Sequence, residues 1–228
     1  MGLAAAWLRE VRQRRRHLRF VGPHREARLP AIREALRVAA PGAVLLAGNS
    51  HAEMLGYPDF AGRPCVNAGI GGITADGYAD VLAQLADDPA RAAVAVLFVG
   101  TNDLLRYRRP LRPETERRFA ADADRILRRL GRWADRVVVA AVPPIGLRNT
   151  GHHPDAVAVY STVLEGLCAV HAHVYVDPFA AMREAALPGR ARCGLDADGV
   201  HLADYGLFGR QVAALVAAHP NGVAGPPA

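Results

Sequence analysis

The sequence predicts an α/β fold, a three-layer α/β/α sandwich around a five-stranded parallel sheet. Two observations carry this. From residue 41 onward, short apolar runs alternate with longer segments of helical periodicity. The runs are apolar throughout instead of alternating with polar residues, as expected of strands covered on both faces. Five such units in roughly 185 residues fit a doubly wound, flavodoxin-like plan.

The strands are expected at Ala43–Ala47, Pro64–Ala68, Ala93–Val99, Arg136–Val142 and His173–Val176. Helices are expected at Ala75–Ala86, Pro113–Trp133, Asp155–His171 and Ala203–Ala218. Residues 1–40 read as one or two helices, with Leu3, Trp7, Val11 and Leu18 near one face and arginines on the others. The chain thus divides into a basic helical segment at 1–27, one α/β domain at 28–218, and a Gly/Pro-rich tail at 219–228 that is expected to fray from Asn221 to Ala228.

Composition narrows the function classes. The 228 residues are 51% hydrophobic and 22% charged, which suits one well-packed core and argues against disorder. There is no apolar run of membrane-spanning length. Met1–Leu8 is too short, and wrongly flanked by charge, for a secretory signal. The three cysteines, Cys65, Cys168 and Cys193, form no CxxC pair. Neither a disulfide framework nor a structural zinc site is expected, and the cytoplasm is the expected compartment. His152-His153 and His171-x-His173 lack companion ligands, so no metal is expected.

The net charge of +6 is unevenly placed. Residues 1–40 hold ten Arg against three Glu, and residues 106–136 hold eleven Arg against five acids. Every cation is arginine, a pattern that fits compositional bias better than selection for phosphate. These stretches lack the interleaved aromatic residues of a single-strand binding platform, so no nucleic acid is expected as a partner. The basic N-terminal segment reads as a solvated helix, with weak contact to a membrane surface as its functional alternative.

In doubly wound sheets, ligands sit beyond the carboxyl ends of the strands. Four segments fall there. The first strand is followed by Gly48-Asn49-Ser50-His51, the second by Asn67-Ala68-Gly69-Ile70-Gly71-Gly72-Ile73-Thr74, and the third by Gly100-Thr101-Asn102-Asp103. Asp198-Gly199-Val200-His201-Leu202 precedes the closing helix. A serine at a strand-to-helix turn presents its hydroxyl outward. His201 can act as its base, and Asp198, three residues earlier, can fold back to orient the imidazole. A glycine N–H, the Asn102 amide and the Ser50 N–H can receive an oxyanion. Taken singly, each residue has an ordinary structural role: Ser50 as a helix cap, the glycines as turn residues, His201 as a helix-start residue. It is their convergence on one sheet edge that points to chemistry.

These four segments, in this order and after these strands, resemble the SGNH hydrolases, also called GDSL-type esterases and lipases. The resemblance covers about residues 28–218 and is nearest to the branch of platelet-activating-factor acetylhydrolase catalytic subunits. It implies Ser50 as nucleophile and first oxyanion donor, Gly72 as oxyanion glycine with Gly71 as the fallback, Asn102 as oxyanion amide, His201 as base and Asp198 as its partner. It implies no cofactor and a small-molecule ester as substrate, cleaved through an acyl-enzyme. Two positions depart from the family pattern. Asn49 stands where an aspartate usually precedes the serine, and Ile73 where an aspartate commonly follows the glycine. Neither change removes a catalytic atom.

The expected function is therefore a serine esterase acting on O-esters of small or medium acyl groups. An O-acyltransferase using the same site and a non-catalytic binding protein on the same fold are the alternatives, and oligomeric state is left open. The loop Arg106-Tyr107-Arg108-Arg109 follows the Asn102 segment. Arg106, Arg108 and Arg109 are expected at the pocket rim as candidates to recognise an anionic substrate group.

Overall fold

The structure is a computed structural model, and it describes residues 2–85 and 90–218, with side chains from Trp7 onward. The residue Ala86 and the tail expected at 219–228 lie outside the described residues. Five parallel strands form the sheet: β1 (Val44–Gly48), β2 (Cys65–Gly69), β3 (Ala92–Phe98), β4 (Ala134–Ala140) and β5 (Val174–Val176). Their order is β2-β1-β3-β4-β5, the doubly wound arrangement expected from the sequence. The helices are α1 (Gly2–Arg37), α2 (Ser50–Met54), α3 (Ala75–Gln84), α4 (Pro113–Trp133), α5 (Ala156–His171) and α6 (Tyr205–Ala218).

The strands read as unbroken apolar runs because alternate residues enter two separate cores. On β1, Leu45 and Ala47 join the core beneath α1, α3, α4 and α5, whereas Val44 and Leu46 join the core beneath α2 and α6. On β4, Val137 and Val139 face the first core and Val138 and Ala140 the second. A period-two signal is lost when both faces are apolar. The layer of four helices centres on Trp133, Tyr78 and Tyr160, all fully buried, and the thinner layer on Phe98, Phe179 and Phe208.

Helix α1 is a single helix, continuous across residues 27 and 28 and across Pro23 and Pro30. Its second half is packed through Leu29, Ile32 and Leu36, spaced along one face. Its first half is not held by the apolar stripe read from the sequence, for Trp7 and Leu18 are exposed. That half is instead fastened by polar side chains, described with the site. A second unforeseen element is a small antiparallel hairpin, β6 (Arg183–Glu184) with β7 (Leu187–Ala191). Its Leu-Pro-Gly-Arg-Ala strand has neither the alternation nor the β-branched content that marks strands.

The switch from β1 to α2 explains the glycine at its end. Gly48 adopts φ +114°, and a Cβ there would lie 1.8 Å from the Phe98 carbonyl oxygen. The next peptide is then fixed by Asn49 N–H donating to Phe98 O at 2.9 Å. This lifts Ser50 to the first position of α2, above the carboxyl edge of the sheet.

Candidate active site

The four segments singled out in the sequence meet at that edge. Ser50 Oγ lies 3.0 Å from His201 Nε2, and His201 Nδ1 lies 2.7 Å from Asp198 Oδ2. The other Asp198 oxygen accepts the backbone N–H groups of Val200 and His201, at 2.9 and 2.8 Å. Burial opposes ionisation of Asp198, but the His201 N–H, the His201 ring and the Val200 N–H outweigh it and hold the carboxyl below its ordinary range. With Asp198 ionised, Nδ1 carries the proton and Nε2 faces the serine with its lone pair. The turn is braced by Gly199 N–H donating to Asp196 at 2.6 Å and by Gly146 N–H donating to Gly199 O at 3.0 Å.

Ser50, Gly72 and Asn102 line one cleft and offer it three candidate donors. Asn102 Nδ2 gives one hydrogen to Ile73 O at 2.9 Å, which orients the amide and leaves its second hydrogen free. The Ser50 N–H and the Gly72 N–H have no acceptor among the described residues. Gly71 differs: its N–H is already held by Glu53 Oε2 at 2.5 Å. Of the two glycines weighed in the sequence, Gly72 is the one with a free donor. Its φ of +75° gives the position its need for glycine.

The two departures from the family pattern have local accounts. Asn49 caps α2, accepting the His51 N–H at 3.0 Å and donating to Thr101 Oγ1 at 3.2 Å. An aspartate there could accept but not donate. Ile73 is buried in the larger core, where an ionised side chain would be costly. Asp103, next to Asn102, instead accepts the Ala75 N–H at the start of α3. Burial, opposed by Arg108, raises its carboxyl to about 7.

The cleft around Ser50, about 750 Å³, has a wall the sequence did not announce. Gln13, Arg16, His17, Phe20 and His24 of α1 line it. His17 Nε2 meets Gly72 O at 2.6 Å and its Nδ1 meets the Tyr107 hydroxyl at 2.7 Å. A carbonyl can only accept, so His17 holds its proton on Nε2, and Tyr107 donates to Nδ1 of the neutral ring. His24 and Arg28 contact Glu53 at 2.9 and 3.3 Å, and Arg28 also donates to Gly69 O at 3.0 Å. Helix α1 thus grips both sides of the Gly71-Gly72 turn.

The three arginines expected at the pocket rim do not line this cleft. After β3 the chain curls through two 3-10 turns, Thr101–Leu104 and Arg106–Arg108. This directs Arg106 Nε to Thr150 O at 2.9 Å and Arg108 to Asp76 at 3.2 Å and Asp103 at 3.6 Å. Arg109 sits exposed in a left-handed turn with φ +54°. Arg16, from α1, occupies the cleft instead. Among the described residues no three His, Cys, Asp or Glu side chains cluster as metal ligands, and no helix is long and apolar enough to cross a membrane. All three cysteines are free thiols.

The sequence model of the GDSL-like lipase/acylhydrolase family matches residues 48–207, which include all four segments. The chain belongs to this family. It is a carboxylic ester hydrolase with the SGNH fold. Solved structures agree on the fold. A Streptococcus pneumonia protein provisionally named a platelet activating factor aligns with a TM-score of 0.68 at 17% identity, over 94% of this chain and 97% of its own. The lipase/acylhydrolase from Enterococcus faecalis aligns at 0.57 and 20%, over 80% and 99%. The acetyl xylan esterase AlAXEase aligns at 0.56 and 21%, over 76% and 99%. No curated protein matches the sequence.

Two buried histidines beside the hydrolase site make a prediction about pH. His51, fully buried, contacts the Tyr205 hydroxyl at 2.8 Å through Nδ1, and burial followed by the nearby His201 charge lowers it to about 3. His152, at the cleft wall, is lowered to about 4, chiefly by burial. Both stay neutral in the folded chain while the unfolded chain takes up protons below about 6.5. Their contribution is therefore complete above pH 6.5 and lost as pH falls toward 4, at about 1.4 kcal/mol per pH unit for each histidine. The melting temperature should drop on acidification from pH 7 to 5, and less steeply in His51→Gln. Equal slopes in the two proteins would show that His51 is protonated in the fold.

Proposed function

We propose that the protein is a serine esterase that cleaves O-esters of small or medium acyl groups through an acyl-enzyme. The observation that carries this is the Ser50–His201–Asp198 relay, with distances of 3.0 and 2.7 Å, in a cleft that also holds two backbone N–H groups without internal acceptors and the second hydrogen of the Asn102 amide. Ser50 Oγ attacks the ester carbonyl carbon while His201 Nε2 takes its proton. The carbonyl oxygen becomes an oxyanion held by the Ser50 N–H, the Gly72 N–H and Asn102 Nδ2. Collapse breaks the bond to the alkoxy oxygen, which leaves with the proton from His201. Water then attacks the acyl-enzyme, gives its proton to His201, and the acid departs as Ser50 recovers its hydrogen.

Phe20, Met54 and Leu105 supply apolar lining for the acyl group. A non-catalytic binding role finds less support, since Asn49 and Ile73 are accommodated without displacing any reacting group. The test is hydrolysis of p-nitrophenyl acetate, butyrate, octanoate and palmitate by the full chain, beside Ser50→Ala, with fluorophosphonate labelling of both. Acetate or butyrate should be fastest, and only the protein bearing Ser50 should be labelled. No activity above the variant and no label would overturn the reading.

A further inference from the structure

The cleft at Ser50 passes along α1 into a second trough of about 830 Å³. The two share a wall, since Gln13, Arg16, Thr150 and Gly151 line both. Five arginines converge on the trough from three separate parts of the chain. Arg9, Arg12 and Arg16 come from α1, spaced three and four residues apart and so on one helix face. Arg106 comes from the turn after β3, and Arg190 from β7. Glu10 is the one acid among the described residues that line it.

The charges are not neutralised by the protein itself. Arg9, Arg12 and Arg16 have no ion pair or side-chain hydrogen bond among the described residues. Arg190 Nη1 is anchored on the carbonyls of Gly146 and Asn149, at 2.8 and 3.0 Å, and Arg106 Nε on Thr150 O. Carbonyl anchors fix a guanidinium without cancelling its charge, and leave its remaining N–H groups to bind oxyanions. Like charges gathered in one concavity repel one another and concentrate anions there.

We propose that this trough receives an anionic group, a phosphate or carboxylate, carried by the non-reacting part of the ester that Ser50 cleaves. The proposal rests on the esterase reading of Ser50 and names its substrate class as anionic esters. Arg16 is the link, because it borders both the reacting centre and the trough. The anion has two chemical sources, a soluble ester or a lipid headgroup.

Three measurements on the full chain test this, each beside the triple variant Arg9→Gln/Arg12→Gln/Arg16→Gln, whose folding is checked by its melting curve. The first is calorimetric binding of inorganic tripolyphosphate, which should weaken by about tenfold or more in the variant. The second is kcat/KM for two matched pairs: acetylglycerol phosphate against acetylglycerol, and p-nitrophenyl hemisuccinate against p-nitrophenyl butyrate. The anionic member of one pair should be preferred by about tenfold at low salt, with the preference erased in the variant and by salt. The third is sedimentation with phosphatidylglycerol vesicles and with phosphatidylcholine vesicles. Variant-sensitive binding to the first alone assigns the anion to a lipid headgroup, and preference for a soluble anionic ester without vesicle binding assigns it to a soluble substrate. Equal tripolyphosphate affinity in the two proteins, with no anionic preference in either pair, overturns the proposal. Absence of all ester hydrolysis and of Ser50 labelling would instead strike the esterase reading, with the trough still judged by tripolyphosphate.

Discussion

Ser50→Ala and His201→Ala are each expected to lower kcat for p-nitrophenyl acetate by about 10⁴- to 10⁶-fold, and the double variant by no more than the worse single one. The reason lies in the relay. Once Ser50 Oγ is gone, the lone pair on His201 has no proton to take. Once His201 is gone, the serine has no base within 3.0 Å and stays a weak nucleophile. The two residues act as one unit, so their losses do not add. Asp198→Asn should cost less, about 10²- to 10⁴-fold, since it leaves both reacting groups but permits the wrong imidazole tautomer. Single-turnover rates check all four proteins. Additive losses in the double variant would mean that Ser50 and His201 act independently, and would remove the relay from the mechanism.

How much of this was legible in the sequence depends on what each residue does. The meeting of Ser50, Asn102, Asp198 and His201 at one sheet edge was legible because Ser50 and Asn102 each follow an apolar run, and Asp198 and His201 stand three residues apart just before the closing helix. The sheet was legible from the same apolar runs. Helix α1 was legible as a helix but not as a wall of the site. Gln13, His17, His24 and Arg28 dock it by hydrogen bonds to Gly151 O, Gly72 O, Glu53 and Gly69 O. Polar docking has no periodicity that a single sequence displays. The apolar stripe that did stand out, with Trp7 and Leu18, is exposed. Arg106, Arg108 and Arg109 follow Asn102 closely in sequence but do not line the cleft, and only Arg106 reaches the trough beside it. Two 3-10 turns intervene, and they turn Arg108 back onto Asp76 and Asp103. The choice between Gly71 and Gly72 turned on the Glu53 carboxylate, eighteen residues away, which nothing in the sequence paired with either.

That carboxylate and α1 bear on the second large effect. Asn102→Ala is expected to lower kcat by about 10²- to 10³-fold with little change in KM, because an amide aimed at a developing oxyanion binds the transition state more tightly than the substrate. Ser50 and Gly72 N–H groups would remain, so the loss stops short of that at the relay. His17→Ala should give a smaller loss of the same kind, about tenfold in kcat. His17 touches no reacting atom, but its bond to Gly72 O helps hold the turn whose N–H is the proposed oxyanion donor. His17→Gln keeps a side-chain donor and should recover part of the rate, whereas a role confined to packing would show no such rescue. A fall in kcat/KM carried by KM alone for Asn102→Ala would place that amide on the ground-state ester. The oxyanion would then rest on the two backbone N–H groups, and the free hydrogen on Asn102 would serve binding instead of catalysis.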